Sequence, residues 1–133
     1  MMLEVGIKGR QEMVVTEELT AGHIGSGTVR VLATPMMVSL MERTSRLSVK
    51  PFLEVGQETV GTRVNVSHVA ATPVGMKVWC ESTLTEVDRR RLVFGVRVFD
   101  ECGLVGEGEH ERFIIDEKKF REKADAKAAS KNL

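Results

Sequence analysis

The sequence predicts an α+β domain in two layers, one long helix laid against an antiparallel sheet, and three observations carry that prediction. A single stretch, from about Pro35 to Val49, repeats apolar residues at the 3.6-residue period of a helix. From Thr59 onward the period falls to two and holds as far as Ile115. Short turns interrupt that second region at Thr72-Pro73-Val74-Gly75, Asp88-Arg89-Arg90-Arg91 and Asp100-Glu101-Cys102-Gly103. A helix with one apolar arc and a sheet with one apolar face can bury both against each other.

Taken in order, Gly6 to Val15 reads as a first strand closed by Met13, Val14 and Val15, and Thr16 to Glu18 as a polar turn. AGHIGSG, residues 21 to 27, holds three glycines, too many for a stable helix, and predicts a mobile loop or loose lid just ahead of Thr34. Thr34 stands at the expected N-cap and Pro35 at the first helical position. Met36, Met37, Leu40, Met41 and Leu47 form the arc that must face the core, and Pro51 ends the helix.

Val60, Thr62, Val64, Val66 and His68 then share one strand face, with Gly61, Arg63, Asn65 and Ser67 on the other. Met76 to Thr85, Leu92 to Val98 and Leu104 to Ile115 repeat the alternation, so four strands joined by short turns predict a meander. Asp116 is placed to cap a last helix within a C-terminal helix and tail at about 116–133, which frays towards its end. Such a sheet keeps an open edge and a half-covered face, which predicts a homodimer.

At 133 residues the chain has the length of one domain, 1–133, able to bury a core without a staple. Lys plus Arg and Asp plus Glu balance at 19 each, so no global field recruits nucleic acid or an anionic membrane. Cys80 and Cys102 lack metal-ligand spacing and a disulfide framework, which predicts reduced thiols and a cytoplasmic location. No apolar run approaches the roughly 20 residues that span a bilayer, so neither export nor a membrane span is expected.

Three side chains stand out for chemistry. His68 ends a half-buried strand ahead of a Pro-Gly turn; it is either a hydrogen-bonded core residue or an imidazole for proton transfer at a sheet margin. Thr34 either caps its helix or offers a hydroxyl beside backbone N–H groups that stabilise an oxyanion. Glu42 lies nearly opposite the apolar arc, solvated and paired with Arg43 or Arg46 unless a second surface such as a partner subunit covers it. His110 and Arg112 share a strand phase with Ile114, and an arginine there calls for a carboxylate or an anionic ligand. Arg89, Arg90 and Arg91 read as a solvated hairpin turn, or as a contact for cofactor phosphates. The glycines of GLVGEGEH fit no nucleotide-binding fingerprint.

LATPMMVSLME, VGTRVNVSHVAATPVG and GEGEHERFII, in that order and spacing, resemble the hotdog-fold thioesterases of the fluoroacetyl-CoA thioesterase type, from about Gly6 to Phe120. The resemblance implies a hotdog fold, with the long helix wrapped by a curved antiparallel sheet and two subunits pairing to build the sites. It implies hydrolysis of an acyl-CoA thioester with no metal or redox cofactor, coenzyme A entering only as part of the substrate. The family's catalytic threonine, glutamate and histidine fall on Thr34, Glu42 and His68, and its glycine and arginine near the bound thioester on Gly61 and Arg112. The fluoroacetate-specific member shields its pocket with phenylalanines, whereas Gly22 to Val29 holds no aromatic residue, so fluoroacetyl specificity is not expected. The rival is a non-catalytic hotdog protein that binds an acyl-CoA or another small ligand. A dehydratase is weaker, because no adjacent Asp and His pair suits the hydration of an enoyl thioester.

Overall fold

The two periodicities become one long helix and four strands, and a first strand ahead of the helix adds a fifth. The computed structural model describes residues 2–131. Strand β1 (Lys8–Val14) leads through a 3-10 turn (Glu17–Leu19) and a single helical turn, α1 (Ala21–Ile24), into the long helix α2 (Thr34–Val49). A second 3-10 turn at Lys50–Phe52 contains Pro51, as the stop signal requires. Strands β2 (Gln57–His68), β3 (Lys77–Asp88), β4 (Arg91–Asp100) and β5 (Gly103–Asp116) follow, and α3 (Glu117–Ser130) closes the chain. Asp116 caps α3 as expected, its side chain accepting from the Lys119 N–H. The end of the tail, where fraying was expected, includes residues 132 and 133, which lie outside the described residues.

The strand order is β1-β3-β4-β5-β2, antiparallel throughout. The expected four-strand meander therefore holds only for β3, β4 and β5, and β2 crosses to the far side of β5. The segment read as a hairpin turn, Thr72 to Gly75, is instead part of the crossover. Its Thr72 carbonyl accepts from the Leu32 N–H at 2.8 Å, Pro73 bridges Val31, and the buried Thr72 hydroxyl donates to Asp100 at 2.8 Å. Those contacts tie the connection to the chain just before α2. This leaves β2 at an edge of the sheet.

Helix α2 lies on the inner face, where Met37, Leu40, Met41 and Val49 meet Val78, Cys80, Leu84, Phe94, Val96 and Val98. Burying each of these large side chains contributes roughly 1.5–3 kcal/mol. The buried stripe is not quite the predicted arc. Leu47 is exposed, while Thr44 and Ser45 are fully buried and return their hydroxyls to the carbonyls of Leu40 and Met41. The cause is close approach: a Cβ at Gly9 on β1 would stand 2.7 Å from Ser48 Cβ and 2.9 Å from the Thr44 carbonyl, so only small residues fit between strand and helix.

Candidate active site

Thr34 belongs to α2 but does not cap it. The N-cap is Ala33, buried and held by its N–H to the Leu19 carbonyl at 2.9 Å, and Thr34 is the first helical residue. The expected capping role is thus corrected by one position, and the hydroxyl is free for another partner. It finds His68 at the far end of β2, with Thr34 Oγ1 2.7 Å from His68 Nδ1. In the first turn Pro35 lacks an N–H and the N–H groups of Met36 and Met37 both donate to the Ala33 carbonyl, which leaves the Thr34 N–H as the first-turn donor for an oxyanion among the described residues.

Burial pushes the His68 pKa below its ordinary value, partly opposed by the Ala70 backbone, so the ring is neutral at pH 7 and able to take a proton. Its other nitrogen, Nε2, is buried and finds no hydrogen-bond partner among the described residues. A cavity of about 330 Å³ opens beside the pair, lined by Ala21, Ser26, Val31, Thr34, His68 and Ala70 among others. One wall is α1, where AGHIGSG does form a helical turn despite its glycines. The Thr20 hydroxyl accepts from the His23 N–H, and Gly25 closes the turn at a φ of 86°.

Glu42 lies two turns along α2 and takes neither Arg43 nor Arg46 as its partner. Its Oε2 stands 3.8 Å from Arg112 Nη1, and its side chain keeps 42% of its exposure. Arg112 is buried and clamped: Nε donates to Thr59 Oγ1 at 2.8 Å, Nη2 to the Thr59 carbonyl at 2.8 Å, and Nη1 to His110 Nε2 at 3.1 Å. Gly61 forms the floor between them, for a Cβ there would sit 2.7 Å from Glu42 Oε2 and 3.3 Å from Arg112 Nη1.

Gly61 and His68 are an odd number of residues apart, and strict alternation would send them to opposite faces. A bulge between Gly61 and Arg63 removes the conflict. Gly61 pairs with Arg112 and His68 with Gly106, so after the extra residue Thr62 the even positions face the helix, where Thr59 and Gly61 faced it before. The predicted single face of Val60, Thr62, Val64, Val66 and His68 is corrected accordingly. Val60 and Thr62 leave it, Val64 is 41% exposed, and Val66 and His68 remain partly buried against the helix.

The profile of the fluoroacetyl-CoA-specific thioesterase family (FlK) matches residues 15–118. The fluoroacetyl-CoA thioesterase of Streptantibioticus cattleyicolor is 34% identical over 131 residues, covering 94% of each chain. The chain belongs to the fluoroacetyl-CoA-specific thioesterase family. Among solved structures, a variant of the fluoroacetyl-CoA thioesterase with acetyl-CoA bound superposes with a TM-score of 0.90 at 34% identity, over 94% of this chain and 98% of that one. A hypothetical protein of Thermus thermophilus, a thioesterase superfamily member, does so at 0.84 and 32%, over 96% and 97%. The curved antiparallel sheet around one long helix is the hotdog fold.

Within this thioesterase family member the five residues singled out from the sequence form two groups. Thr34 and His68 meet at one end of α2, whereas Glu42, Gly61 and Arg112 meet further along it. Eight residues of helix separate Thr34 from Glu42 by about 12 Å along the axis. Within one chain, Glu42 makes neither a hydrogen bond nor an ion pair with Thr34 or His68 among the described residues. Sequence reasoning missed Thr59, whose hydroxyl and carbonyl hold Arg112. The one signal for it was Arg112 itself, a buried cation needing more acceptors than a single carboxylate provides. Among the described residues no group of three His, Cys, Asp or Glu side chains is placed to hold a metal.

Proposed function

We propose that this chain hydrolyses acyl-CoA thioesters to the free acid and CoA, with Thr34, Glu42 and His68 as the catalytic set and Gly61 and Arg112 beside the bound thioester. The observation that carries the reading is the 2.7 Å contact of Thr34 Oγ1 with a neutral, partly buried His68, joining the start of α2 to the end of β2 beside a cavity. Hydrolysis of a thioester needs a base, a nucleophile and a proton for the departing sulfur. His68 takes the proton as a water molecule, or the Thr34 hydroxyl, adds to the carbonyl carbon. The tetrahedral intermediate then collapses by breaking the C–S bond, and the same proton passes to the CoA thiolate. If Thr34 adds first, a water molecule resolves the acyl-threonine by the same proton path.

Glu42 orients or activates the water, and the Arg112 guanidinium supplies the N–H groups nearest to it. For that, two copies must pair at the β2 edge, so that Glu42 of the partner subunit approaches the Thr34–His68 pair. One feature supports this homodimer: residues 61–65 of the edge strand are exposed. The described lining of the cavity contains no Phe, Tyr or Trp, which favours an acyl group other than fluoroacetyl. No helix among the described residues is long and apolar enough to cross a membrane, and we place the reaction in the cytoplasm, where both thiols stay reduced.

The test is release of free thiol across a panel of acyl-CoAs. Turnover of at least one member is expected, with His68→Ala and Glu42→Ala each losing roughly 100-fold or more while remaining folded. Saturable binding without turnover across the panel would instead assign a binding protein. Mixing the two inactive variants tests the pairing. If each site draws on both subunits, re-equilibrated mixtures regain about a quarter of wild-type activity, because half the dimers then carry one intact site. No recovery would refute the shared site.

A further inference from the structure

His110 is 1% exposed on β5, and the thioester chemistry above gives it no task. Its two hydrogen bonds fix its protonation by elimination. Nδ1 lies 2.8 Å from the Arg63 carbonyl, which can only accept, so Nδ1 carries a proton. Nε2 lies 3.1 Å from Arg112 Nη1, and a guanidinium can only donate, so Nε2 must present its lone pair. The ring is therefore neutral and in one defined tautomer.

Both partners belong to the site. The Arg63 carbonyl lies at the β2 bulge that turns Gly61 and His68 to the same face, and Arg112 is the cation beside Glu42. The groups that face the ring are mixed in sign. Glu111 and Arg112 follow His110 on its own strand, Glu42 reaches towards it from α2, the Arg63 backbone caps it from β2, and the Phe94 ring stacks on it from β4 at 6.4 Å. A Cβ at Gly61 would come within 3.2 Å of His110 Cε1, so the imidazole also packs against Gly61 beside Glu42 and Arg112.

We propose that His110 is a positioning residue of this site: one ring nitrogen fixes the β2 bulge and the other fixes the Arg112 guanidinium, which together set the spacing of Glu42, Gly61 and Arg112. A second proton would place an N–H against the Arg112 N–H and a cation against a cation, releasing the arginine. Burial and the neighbouring Arg112 both oppose that proton and outweigh the Arg63 carbonyl, Glu42 and Glu111, which favour it.

The kinetic arm of the test rests on the thioesterase reading; the spectroscopic arm does not. At pH 7, nitrogen-15 NMR of the whole protein is expected to show His110 neutral and protonated on Nδ1, and an Nε2–H or doubly protonated ring overturns the proposal. His110→Asn keeps a donor near the Nδ1 position and loses the acceptor for Arg112. His110→Gln keeps that acceptor and loses the donor to the bulge. The asparagine variant is therefore expected to shift the Arg112 Nε–H resonance and raise KM roughly tenfold, and the glutamine variant to spare KM and lower kcat by a similar factor. In both, the acid limb of kcat/KM loses one of its protons. Folded variants that behave alike, or that stay within about threefold of wild type, overturn the proposal. Should the wild type cleave no acyl-CoA, the thioesterase reading falls, and the tautomer and the Arg112 resonance still decide the role of His110.

Discussion

Gly61→Ala places one methyl group where the chemistry is tightest. The added Cβ would stand 2.7 Å from Glu42 Oε2, against the 3.4 Å at which ordinary contact begins, so the carboxylate must retreat by about 0.7 Å. Arg112 and His110, at 3.3 and 3.2 Å, are tied by their own hydrogen bonds and give little. Among the described residues Glu42 is tied by nothing shorter than its 3.8 Å approach to Arg112, and 42% of its side chain faces solvent, so it moves. Moving a half-exposed side chain costs little, and the change in stability should stay under about 1 kcal/mol. A shift approaching an ångström in a reacting group lowers kcat/KM by roughly 10- to 100-fold, or about 1.4–2.7 kcal/mol of transition-state stabilisation.

The assay is thiol release on the best acyl-CoA together with a thermal melt, on Gly61→Ala, Glu42→Ala and the double variant. The methyl acts through Glu42, so the double variant should be no slower than Glu42→Ala alone. Gly61→Ala activity within twofold of wild type, or full additivity in the double variant, would refute the reasoning.

Three further outcomes follow from the same structure. Burial lowers the pKa values of both His68 and His110, so between the ordinary histidine range near 6.5 and the lower folded values the unfolded chain binds more protons. Stability should therefore fall as pH drops below about 6.5, with a denaturant midpoint lower at pH 5.5 than at pH 7.5. The Glu58 carboxyl is held at about 2, against 4.5 ordinarily, because the Thr59 N–H, Lys50 and Arg46 outweigh the effect of burial. Its contribution is present above about pH 4.5 and lost as pH falls towards 2, and Glu58→Gln should cost about 2 kcal/mol in urea unfolding at pH 7. Burial pushes the Cys80 thiol up to about 11 while Cys102 is exposed, so a thiol reagent should titrate Cys102 in the native protein and Cys80 only after denaturation.

Much of this architecture was legible in local pattern. The helix, the five strands and the Asp116 cap each follow from residues near in sequence, because period and capping are local physics. The position of β2 was not legible. The polar and proline-containing stretch after His68 has the composition of a turn whether it folds back beside β2 or crosses the sheet, and bonds from Thr72 to Leu32 and Asp100 decide it. Thr34 was misplaced by one position for a similar reason. Threonine before proline reads as a cap, but Ala33 holds that place through the Leu19 carbonyl, some fourteen residues upstream. The exposed side of Glu42 was read correctly, yet its partner lies on β5, seventy residues away, where helical spacing cannot see it.

The extra residue at Thr62 gives β2 a parity that the rest of the sheet lacks. Deleting it would restore regular alternation and send either Gly61 or His68 to the outside, with every other side chain kept. Length variation in this family should accordingly be barred between Gly61 and His68, and tolerated on the loop tips at Gly56 and Cys102, where a changed count reorients nothing. A compensated pair, one residue lost and one gained between Gly61 and His68, would keep both residues facing inward. Counting the spacing modulo two in newly sequenced members is then a quick screen for which of them retain an assembled centre.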